Sequence, residues 1–336
     1  MKLLKEAAKH LYIKLQKKYF SKLKLKQITE FYNPNFEILW KEYFNKNNLE
    51  EKNTQLCKNL TDTEIKLINT LVYRHRLYAN SLEFENEYFI NPVNIFTEEE
   101  LKEQKNCKKF IKTGKKIYNF PTDFYEYSVL YYHNGLKLLN NNCIDYLENK
   151  DFIDGGACIG DSASVFEKEY NPKNIYSFET LKSNLSAIKK TIELNSLNKV
   201  ISVPLGLSDK QETTVINVNN KNIGGSSIIQ SQNLNEQEEI KLTTIDKYAK
   251  DNTLDIGLIK LDVEGFEWNV LQGAIETIKE QRPILLISIY HTPKDFFEIK
   301  PFLESLNLNY QFKIVKLTPN CSISEVMLLA YPQELD

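Results

Sequence analysis

The sequence predicts an α/β protein with a doubly wound, mostly parallel sheet, preceded by a mainly helical N-terminal region. From Asp151 onward, short apolar stretches alternate with amphipathic stretches, which is typical of alternating strands and helices. A glycine-containing turn at residues 154–160 ends the first of these strands and opens a helix. The 336 residues are enough for two structural units. We place the boundary between a helical region at 1–110 and a second unit at 111–336.

The N-terminal region has helical patterns but no catalytic constellation. Residues 1–26 contain nine Lys and one Glu, and their Leu and Ala side chains recur near helical spacing, which predicts a basic amphipathic helix. Such a helix either packs on its own domain with a solvated Lys face or contacts an anionic membrane surface. Thr61 with Glu64, and Thr97 with Glu100, have the spacing of capping boxes that begin further helices.

The composition limits the cellular setting and the partners. No apolar run is long enough for a membrane span, no signal peptide is visible, and the five cysteines are scattered without a metal-binding or disulfide pattern. We therefore expect a cytoplasmic protein, with peripheral membrane contact through the Lys-rich N-terminus as an alternative. Nucleic acid is a disfavoured partner because the basic charge is confined to that terminus. The oligomeric state, including a homo-oligomer, stays open.

The second unit has strand patterns and helix patterns in regular succession. Seven core strands are predicted, at residues 151–154, 174–179, 200–205, 256–262, 284–290, 311–317 and 324–330. Helices are predicted at residues 162–170, 181–195, 244–251, 267–280 and 294–306. A short connection at residues 318–323, which begins with Thr-Pro-Asn, separates the last two strands and predicts an antiparallel hairpin. Residues 210–243 break the alternation, and their strand-like pieces at 213–218, 226–230 and 239–242 indicate a small β insertion.

Acidic residues end three of the predicted strands. Asp154, Glu179 and Asp262 would lie at the edge of the sheet where open α/β folds bind ligands. Glu179 follows Asp154 at about the spacing of an acid that binds ribose hydroxyls. Ala157 replaces the middle glycine of a dinucleotide-binding turn, which disfavours a pyrophosphate. The acids instead favour S-adenosylmethionine, whose sulfonium and ammonium groups are cationic and whose carboxylate suits a helix N-terminus.

His291 is a candidate general base. It follows the predicted strand at 284–290, so it lies at the active edge of the sheet, and its pKa range suits the deprotonation of a hydroxyl. Asp262 is the competing base. A divalent ion held by Asp262, Glu264 and His291 is the less favoured alternative, because this ligand set suits Mg²⁺ or Mn²⁺ only loosely, so no metal site is predicted.

Several of these stretches together resemble the FkbM family of S-adenosylmethionine-dependent methyltransferases. The resemblance depends on Phe-Ile-Asp-Gly-Gly-Ala at 152–157 with Gly-Asp-Ser at 160–162, Tyr-Ser-Phe-Glu at 176–179, and Lys-Leu-Asp-Val-Glu-Gly-Phe-Glu at 260–267 with Val-Leu at 270–271 and Gly-Ala at 273–274. Residues 123–126 and 131–136 look like the lead-in of that family. The similarity extends from about residue 115 to the end, so it assigns the second unit to a methyltransferase domain.

The resemblance implies a class I methyltransferase (Rossmann-like) fold, S-adenosylmethionine as cofactor, and O-methylation. The implied acceptor is a small molecule or glycan: a sugar or glycan precursor of a surface polysaccharide, or else a secondary-metabolite hydroxyl. Two further alternatives are a catalytically idle module that binds an adenosyl ligand and, less favoured, an NAD(P)-linked sugar oxidoreductase. Family members often have a His near the hairpin turn, where this chain has residues 316–320 without one. That departure increases the weight of His291.

The implied roles fall on three groups of residues. The catalytic candidates are His291 and Asp262. Residues implied to bind the cofactor are Asp154, Gly156 and Gly160 at the methionine part, Glu179 at the ribose, and Gly206, Leu207 and Ser208 at the adenine edge. Further cofactor-binding candidates are Gly155, Ser162 and Asp262. Candidates for contact with the acceptor are Tyr132, His133 and Glu264.

Overall fold

The computed structural model describes residues 34–79, 96–123, 125–218 and 236–336. Its N-terminal helices are α1 (Pro34–Lys46), α2 (Leu49–Cys57), α3 (Asp62–Ala79) and α4 (Glu98–Gly114). Both predicted capping boxes are confirmed. Thr97 accepts from the Glu100 amide and the Glu100 side chain accepts from the Thr97 amide, with the same exchange between Thr61 and Glu64. The predicted Lys-rich helix at 1–26 lies outside the described residues.

The second unit is a seven-stranded sheet with helices on both faces. The elements in chain order are α5 (Tyr127–Leu130), a 3₁₀ helix (His133–Leu138), α6 (Asn141–Tyr146), β1 (Asp151–Gly155), α7 (Asp161–Tyr170), β2 (Asn174–Phe178), α8 (Lys182–Asn195), β3 (Val200–Val203), β4 (Gly206–Leu207), β5 (Glu212–Val218), β6 (Glu236–Thr243), α9 (Ile245–Asn252), β7 (Ile256–Leu261), α10 (Glu267–Gln272), α11 (Ile275–Gln281), β8 (Ile284–Ser288), α12 (Pro293–Ser305), β9 (Tyr310–Lys316), β10 (Val326–Pro332) and a final 3₁₀ turn (Gln333–Leu335).

The order of the strands confirms the predicted fold class. The sheet runs β3-β2-β1-β7-β8-β10-β9. Strands β3, β2, β1, β7 and β8 are parallel. Strand β10 is antiparallel to β8, and β9 and β10 form the predicted antiparallel hairpin. Every residue of β1, β7 and β8 is buried, as expected for central strands that are covered on both faces. The order of the strands reverses between β1 and β7, because β2 and β3 lie beyond β1 while β8 lies beyond β7. Open α/β sheets bind ligands at such a point.

Two details of the predicted elements need comment. The single helix predicted at 267–280 is wrong, because the structure has two helices, α10 and α11, that meet at Gly273 and Ala274. The irregular region at 210–243 contains β5 and β6, which form a separate three-stranded sheet with β4. The strand-like piece at 226–230 lies outside the described residues.

Helices α1, α2 and α3 pack on one face of the sheet and share the apolar core of that face. Trp40 of α1 is fully buried, and its ring contacts Phe296 and Phe297 of α12 edge-on or tilted. Polar contacts support the same packing: the Tyr43 hydroxyl donates to Glu298 Oε1 at 2.9 Å, and Lys300 Nζ donates to the Lys58 carbonyl at 2.6 Å. None of the described helices combines the length and the apolar character that a membrane span requires.

Candidate functional site

The glycine turn after β1 is pressed against the end of β7. The Asp262 amide donates to the Gly155 carbonyl at 3.1 Å, and Gly156 has φ 74°. A Cβ atom on Gly156 would lie 1.9 Å from the Asp262 carbonyl oxygen, so no larger residue fits without moving backbone. Gly160 also has a positive φ, 79°, and it precedes the first turn of α7. The turn therefore brings the start of α7 and the Asp262 backbone to one cleft.

Asp154 lies beneath this turn and does not face the cleft. Its side chain is 0% exposed, its Oδ1 is 3.1 Å from Lys260 Nζ, and its Oδ2 accepts from Ser177 at 3.3 Å. Lys260 Nζ also donates to the Gly156 carbonyl at 3.0 Å. Burial alone would lower the Lys260 pKa, but the carboxylates of Asp154 and Asp262 raise it above its usual value. The structure thus gives Asp154 a part in holding the turn, whereas the family resemblance implies contact with the cofactor.

Glu179 lies beside the turn with its hydrogen-bonding capacity in use. Its Oε1 accepts from the amides of Thr180 and Leu181, and its Oε2 accepts from the Cys158 amide and the Asn184 side chain, all between 2.7 and 3.1 Å. A carboxylate has about four acceptor positions, so ribose hydroxyls would have to replace some of these donors. Burial raises the Glu179 pKa against the effect of the four hydrogen bonds.

The remaining cofactor candidates border the same turn. Leu207 is 4% exposed and packs on Gly155, where an added Cβ would lie 3.1 Å from the Leu207 side chain. Ser208 is fully buried and its hydroxyl donates to Asp209 at 2.9 Å. Gly206 begins β4, between Thr180 and Leu242. Ser162, in the first turn of α7, is buried and accepts from the Asn134 side chain at 3.0 Å.

His291 meets three carboxylates at the ends of β7 and β8. Its Nδ1 lies 2.9 Å from Glu267 Oε1, and its Nε2 lies 3.5 Å from Asp262 Oδ1 and 3.8 Å from Glu264 Oε2. Glu267 is fully buried and also accepts from the Val263 amide at 2.7 Å, so it holds the imidazole in a fixed orientation. The sequence placed Asp262, Glu264 and His291 at one edge of the sheet, and the structure brings them into contact.

The electrostatics of this group are strongly acidic. Burial lowers the His291 pKa, but the negative charges of Glu267, Glu264 and Asp262 outweigh burial and raise it well above 6.5. Burial, with Asp262 and Glu267 adding to it, raises the Glu264 pKa to about 7 even though His291 opposes the shift. His291 is therefore stabilised in its protonated form by these carboxylates. It becomes a base only when positive charge on a ligand compensates the surrounding carboxylates.

Four residues of the cleft were not predicted from the sequence. The Tyr290 hydroxyl lies 3.2 Å from Glu325 Oε1 and 3.5 Å from Asp262 Oδ1. Burial, and then the charge of Glu325, raise the Glu126 pKa well above its usual range. Glu126 and Glu325 lie before β1 and after the hairpin turn, so no strand-end pattern marked them. Lys260 belongs to the motif at residues 260–267, and a Lys inside an apolar strand already indicates a buried carboxylate partner.

Tyr132 and His133, the candidates for contact with the acceptor, each have a partner within the protein. The Tyr132 hydroxyl donates to Glu103 of α4 at 3.0 Å. His133 is 4% exposed and its Nδ1 lies 2.6 Å from the hydroxyl of Tyr170, the last residue of α7. Burial lowers the His133 pKa to about 4.

Comparison with known proteins gives a family model and a fold. Residues 154–312 match the model described as methyltransferase FkbM domain. Among solved structures, methyltransferase FkbM from Methylobacillus flagellatus KT is 18% identical with a TM-score of 0.54, over 84% of this chain and 59% of that one. An rRNA methylase from Streptococcus thermophilus is 11% identical with a TM-score of 0.38, over 62% of this chain and 98% of that one.

At 18% identity the first of these structures shows a common fold. The present chain spans only 59% of the length of that FkbM methyltransferase. No curated protein matches the sequence.

Proposed function

Because residues 154–312 form an S-adenosylmethionine-dependent methyltransferase domain of the FkbM family, we propose that the protein methylates a hydroxyl group of a sugar or glycan precursor. The observation that supports this most is the His291 imidazole, held by Glu267 and facing Asp262. A hydroxyl is a weak nucleophile until it loses its proton, and an oriented imidazole beside a carboxylate is a suitable acceptor for that proton.

The residues of the cleft suit the charge of the donor. S-adenosylmethionine supplies a methyl group on a positively charged sulfur. Asp262 and Glu264 present carboxylates on one side of the turn, and the positive end of the α7 helix dipole suits the carboxylate of the methionine part. Gly156 and Gly160 permit the left-handed backbone of the turn because neither has a side chain. These features fit a cationic adenosyl ligand and not a diphosphate.

Positive charge on the donor also makes His291 a better candidate for the base. The carboxylates that raise its pKa would be partly neutralised by the bound sulfonium, so the imidazole would release its proton more readily. Glu267 keeps Nδ1 protonated and leaves Nε2 toward the cleft. In this proposal Nε2 takes the acceptor proton, with Asp262 as the alternative base at 3.5 Å.

A polyol is the acceptor class that the cleft favours. The groups near the base are polar: the Tyr290 hydroxyl bonds to Glu325, and Glu325 also accepts from the Ser128 hydroxyl. Carboxylates and hydroxyls of this kind can hydrogen-bond to several sugar hydroxyls and offer little apolar surface for an aromatic acceptor.

We also keep, as proposals, a cytoplasmic location, peripheral membrane contact through residues 1–26, and a sugar nucleotide or lipid-linked sugar as acceptor.

Methyl transfer from isotopically labelled S-adenosylmethionine tests the proposal. The full chain is incubated with panels of sugar nucleotides, glycolipids and secondary-metabolite alcohols, and products are identified by intact mass and fragmentation. The proposal predicts an O-methyl ether on a sugar. N-methylation or C-methylation, or transfer only to the non-sugar alcohols, would overturn the acceptor assignment. Full turnover in both Asp262→Ala and His291→Ala would overturn the assignment of the base.

A further inference from the structure

The donor atoms around His291 have the spacing of a metal site. Asp262, Glu267 and His291 each present a donor atom, and these atoms lie within 4.8 Å of one another. His291 Nε2 lies 3.5 Å from Asp262 Oδ1 and 3.8 Å from Glu264 Oε2. Around an ion with donors at about 2.1 Å, two donors at right angles are about 3.0 Å apart and two opposite donors about 4.2 Å apart. Both observed separations fall within that range, so one ion could bridge each pair.

Glu267 has the position of a supporting residue for such an ion. Histidines that bind metals commonly donate their other ring N–H to a carboxylate, which fixes the tautomer and the ring orientation. Glu267 Oε1 accepts from His291 Nδ1 in this way, which leaves Nε2 as the free donor toward Asp262 and Glu264. Glu267 is 0% exposed, and its Oε2 is a buried oxygen without a hydrogen-bond partner among the described residues. The group therefore holds negative charge that its own hydrogen bonds do not satisfy.

We propose that Asp262, Glu264 and His291 bind a divalent cation of the Mg²⁺ or Mn²⁺ class beside the acceptor hydroxyl. The inference deepens the proposed function, since its catalytic consequence depends on methyl transfer to a hydroxyl. With the ion bound, His291 is a ligand and replaces the base of the proposed function, because the ion itself lowers the pKa of a coordinated hydroxyl. In the transfer the acceptor O–H bond breaks and its proton goes to water. The O–CH₃ bond forms as the CH₃–S⁺ bond of the donor breaks, leaving a neutral thioether.

The charges around the donor atoms support the same proposal. The Tyr290 hydroxyl lies 3.2 Å from Glu325 Oε1 and 3.5 Å from Asp262 Oδ1, so a further carboxyl group lies next to the ligand set. The one lysine of the described cleft, Lys260, is already paired with Asp154. A divalent ion would compensate the charges of Asp262 and Glu264.

Manganese binding to the full chain tests the site without knowledge of the acceptor. Free Mn²⁺ is measured by electron paramagnetic resonance during titration with MnCl₂, without S-adenosylmethionine. One saturable site is expected, with affinity reduced at least about 10-fold in Asp262→Asn and in His291→Ala. Glu267→Ala should weaken binding about 10–100-fold, and Glu267→Gln, which keeps a carbonyl acceptor for Nδ1–H, should restore part of it. Pulsed spectra of the Mn²⁺ complex should contain a nitrogen coupling that disappears in His291→Ala.

Glu325→Gln is the matched control, because it removes one cleft carboxylate outside the proposed ligand set. An equal loss of affinity in Glu325→Gln and Asp262→Asn would overturn the site, since it would indicate diffuse electrostatic attraction. Absence of Mn²⁺ binding in a folded wild-type protein, or binding without nitrogen coupling, would also overturn it. Mn²⁺ binding without any methyl transfer would support the site and contradict the proposed function. Full turnover in chelator-treated enzyme would support the function and contradict the catalytic ion.

Discussion

Replacing Gly156 by alanine should damage the site far more than the same change at Gly160. Both residues have a positive φ, 74° and 79°, so alanine at either position is strained by about 1–2 kcal/mol. The surroundings differ. An alanine Cβ at position 156 would lie 1.9 Å from the Asp262 carbonyl oxygen and 2.8 Å from its carbon, whereas at position 160 the nearest atom is 3.5 Å away.

The clash at position 156 involves backbone on both sides, so side-chain rotation cannot relieve it. Overpacking of this kind costs about 1–3 kcal/mol, so the total for Gly156→Ala is about 2–5 kcal/mol against about 1–2 for Gly160→Ala. Relief of the clash would push the end of β7 away from the glycine turn and displace Asp262. Gly156→Ala should therefore also lose more affinity for S-adenosylmethionine.

Urea unfolding followed by circular dichroism measures the first effect, and titration calorimetry with S-adenosylmethionine measures the second. If Gly156→Ala is too unstable for unfolding curves, its melting temperature against that of Gly160→Ala gives the same comparison. Equal destabilisation by the two variants, or unchanged cofactor affinity in Gly156→Ala, would refute the close packing of the turn on Asp262.

Two further predictions concern buried charge. Lys260→Met should cost about 3–5 kcal/mol of unfolding free energy, because it leaves Asp154 buried without its partner. Adding Asp154→Asn should recover part of the loss. Additive costs of the two substitutions in a double-mutant cycle would contradict the ion pair. His75, stacked on Trp40 at 3.4 Å, is fully buried, and burial followed by the charge of Arg74 holds its pKa well below 6.5. The unfolded state therefore binds a proton that the folded state excludes, so stability from this residue is lost as the pH falls below about 6.5. Between about pH 7.5 and 5, the melting temperature of His75→Phe should depend less on pH than that of the wild type. Parallel curves for the two proteins would contradict that assignment.

Local patterns were sufficient to predict the fold class and the edge of the sheet that holds the site. The alternation of strand and helix patterns, the glycine turn and the strand-end acids depend on neighbours in the chain. The break between α10 and α11 does not depend on neighbours in the chain. Gly273 lies against the backbone of Ser208, where a Cβ would be 2.1 Å from the carbonyl oxygen, and its own carbonyl accepts from the Asp246 amide at 2.9 Å. These tertiary contacts interrupt an otherwise helical pattern.

The acidic wall formed by Glu126 and Glu325 also depends on tertiary structure. Glu325 has φ 58° and is the last residue of the hairpin loop at 317–325, whose Ser322 carbonyl accepts from Arg74 at 2.9 Å. Arg74 is itself held by Glu100 of α4 with hydrogen bonds of 2.6 and 2.9 Å. Helices from the N-terminal region thus support the loop that carries Glu325 to the cleft, and no local pattern could have linked them.

Transfer of a labelled methyl group to a sugar hydroxyl, compared between wild type and His291→Ala, tests the central claim most directly. The account predicts an O-methylated sugar product with the wild type. It predicts a fall of about 100-fold or more in turnover with His291→Ala while S-adenosylmethionine binding is retained, since the side chain acts on the acceptor proton, directly or through an ion. An unchanged rate in His291→Ala would contradict the account, and so would a wild-type product methylated on nitrogen or carbon.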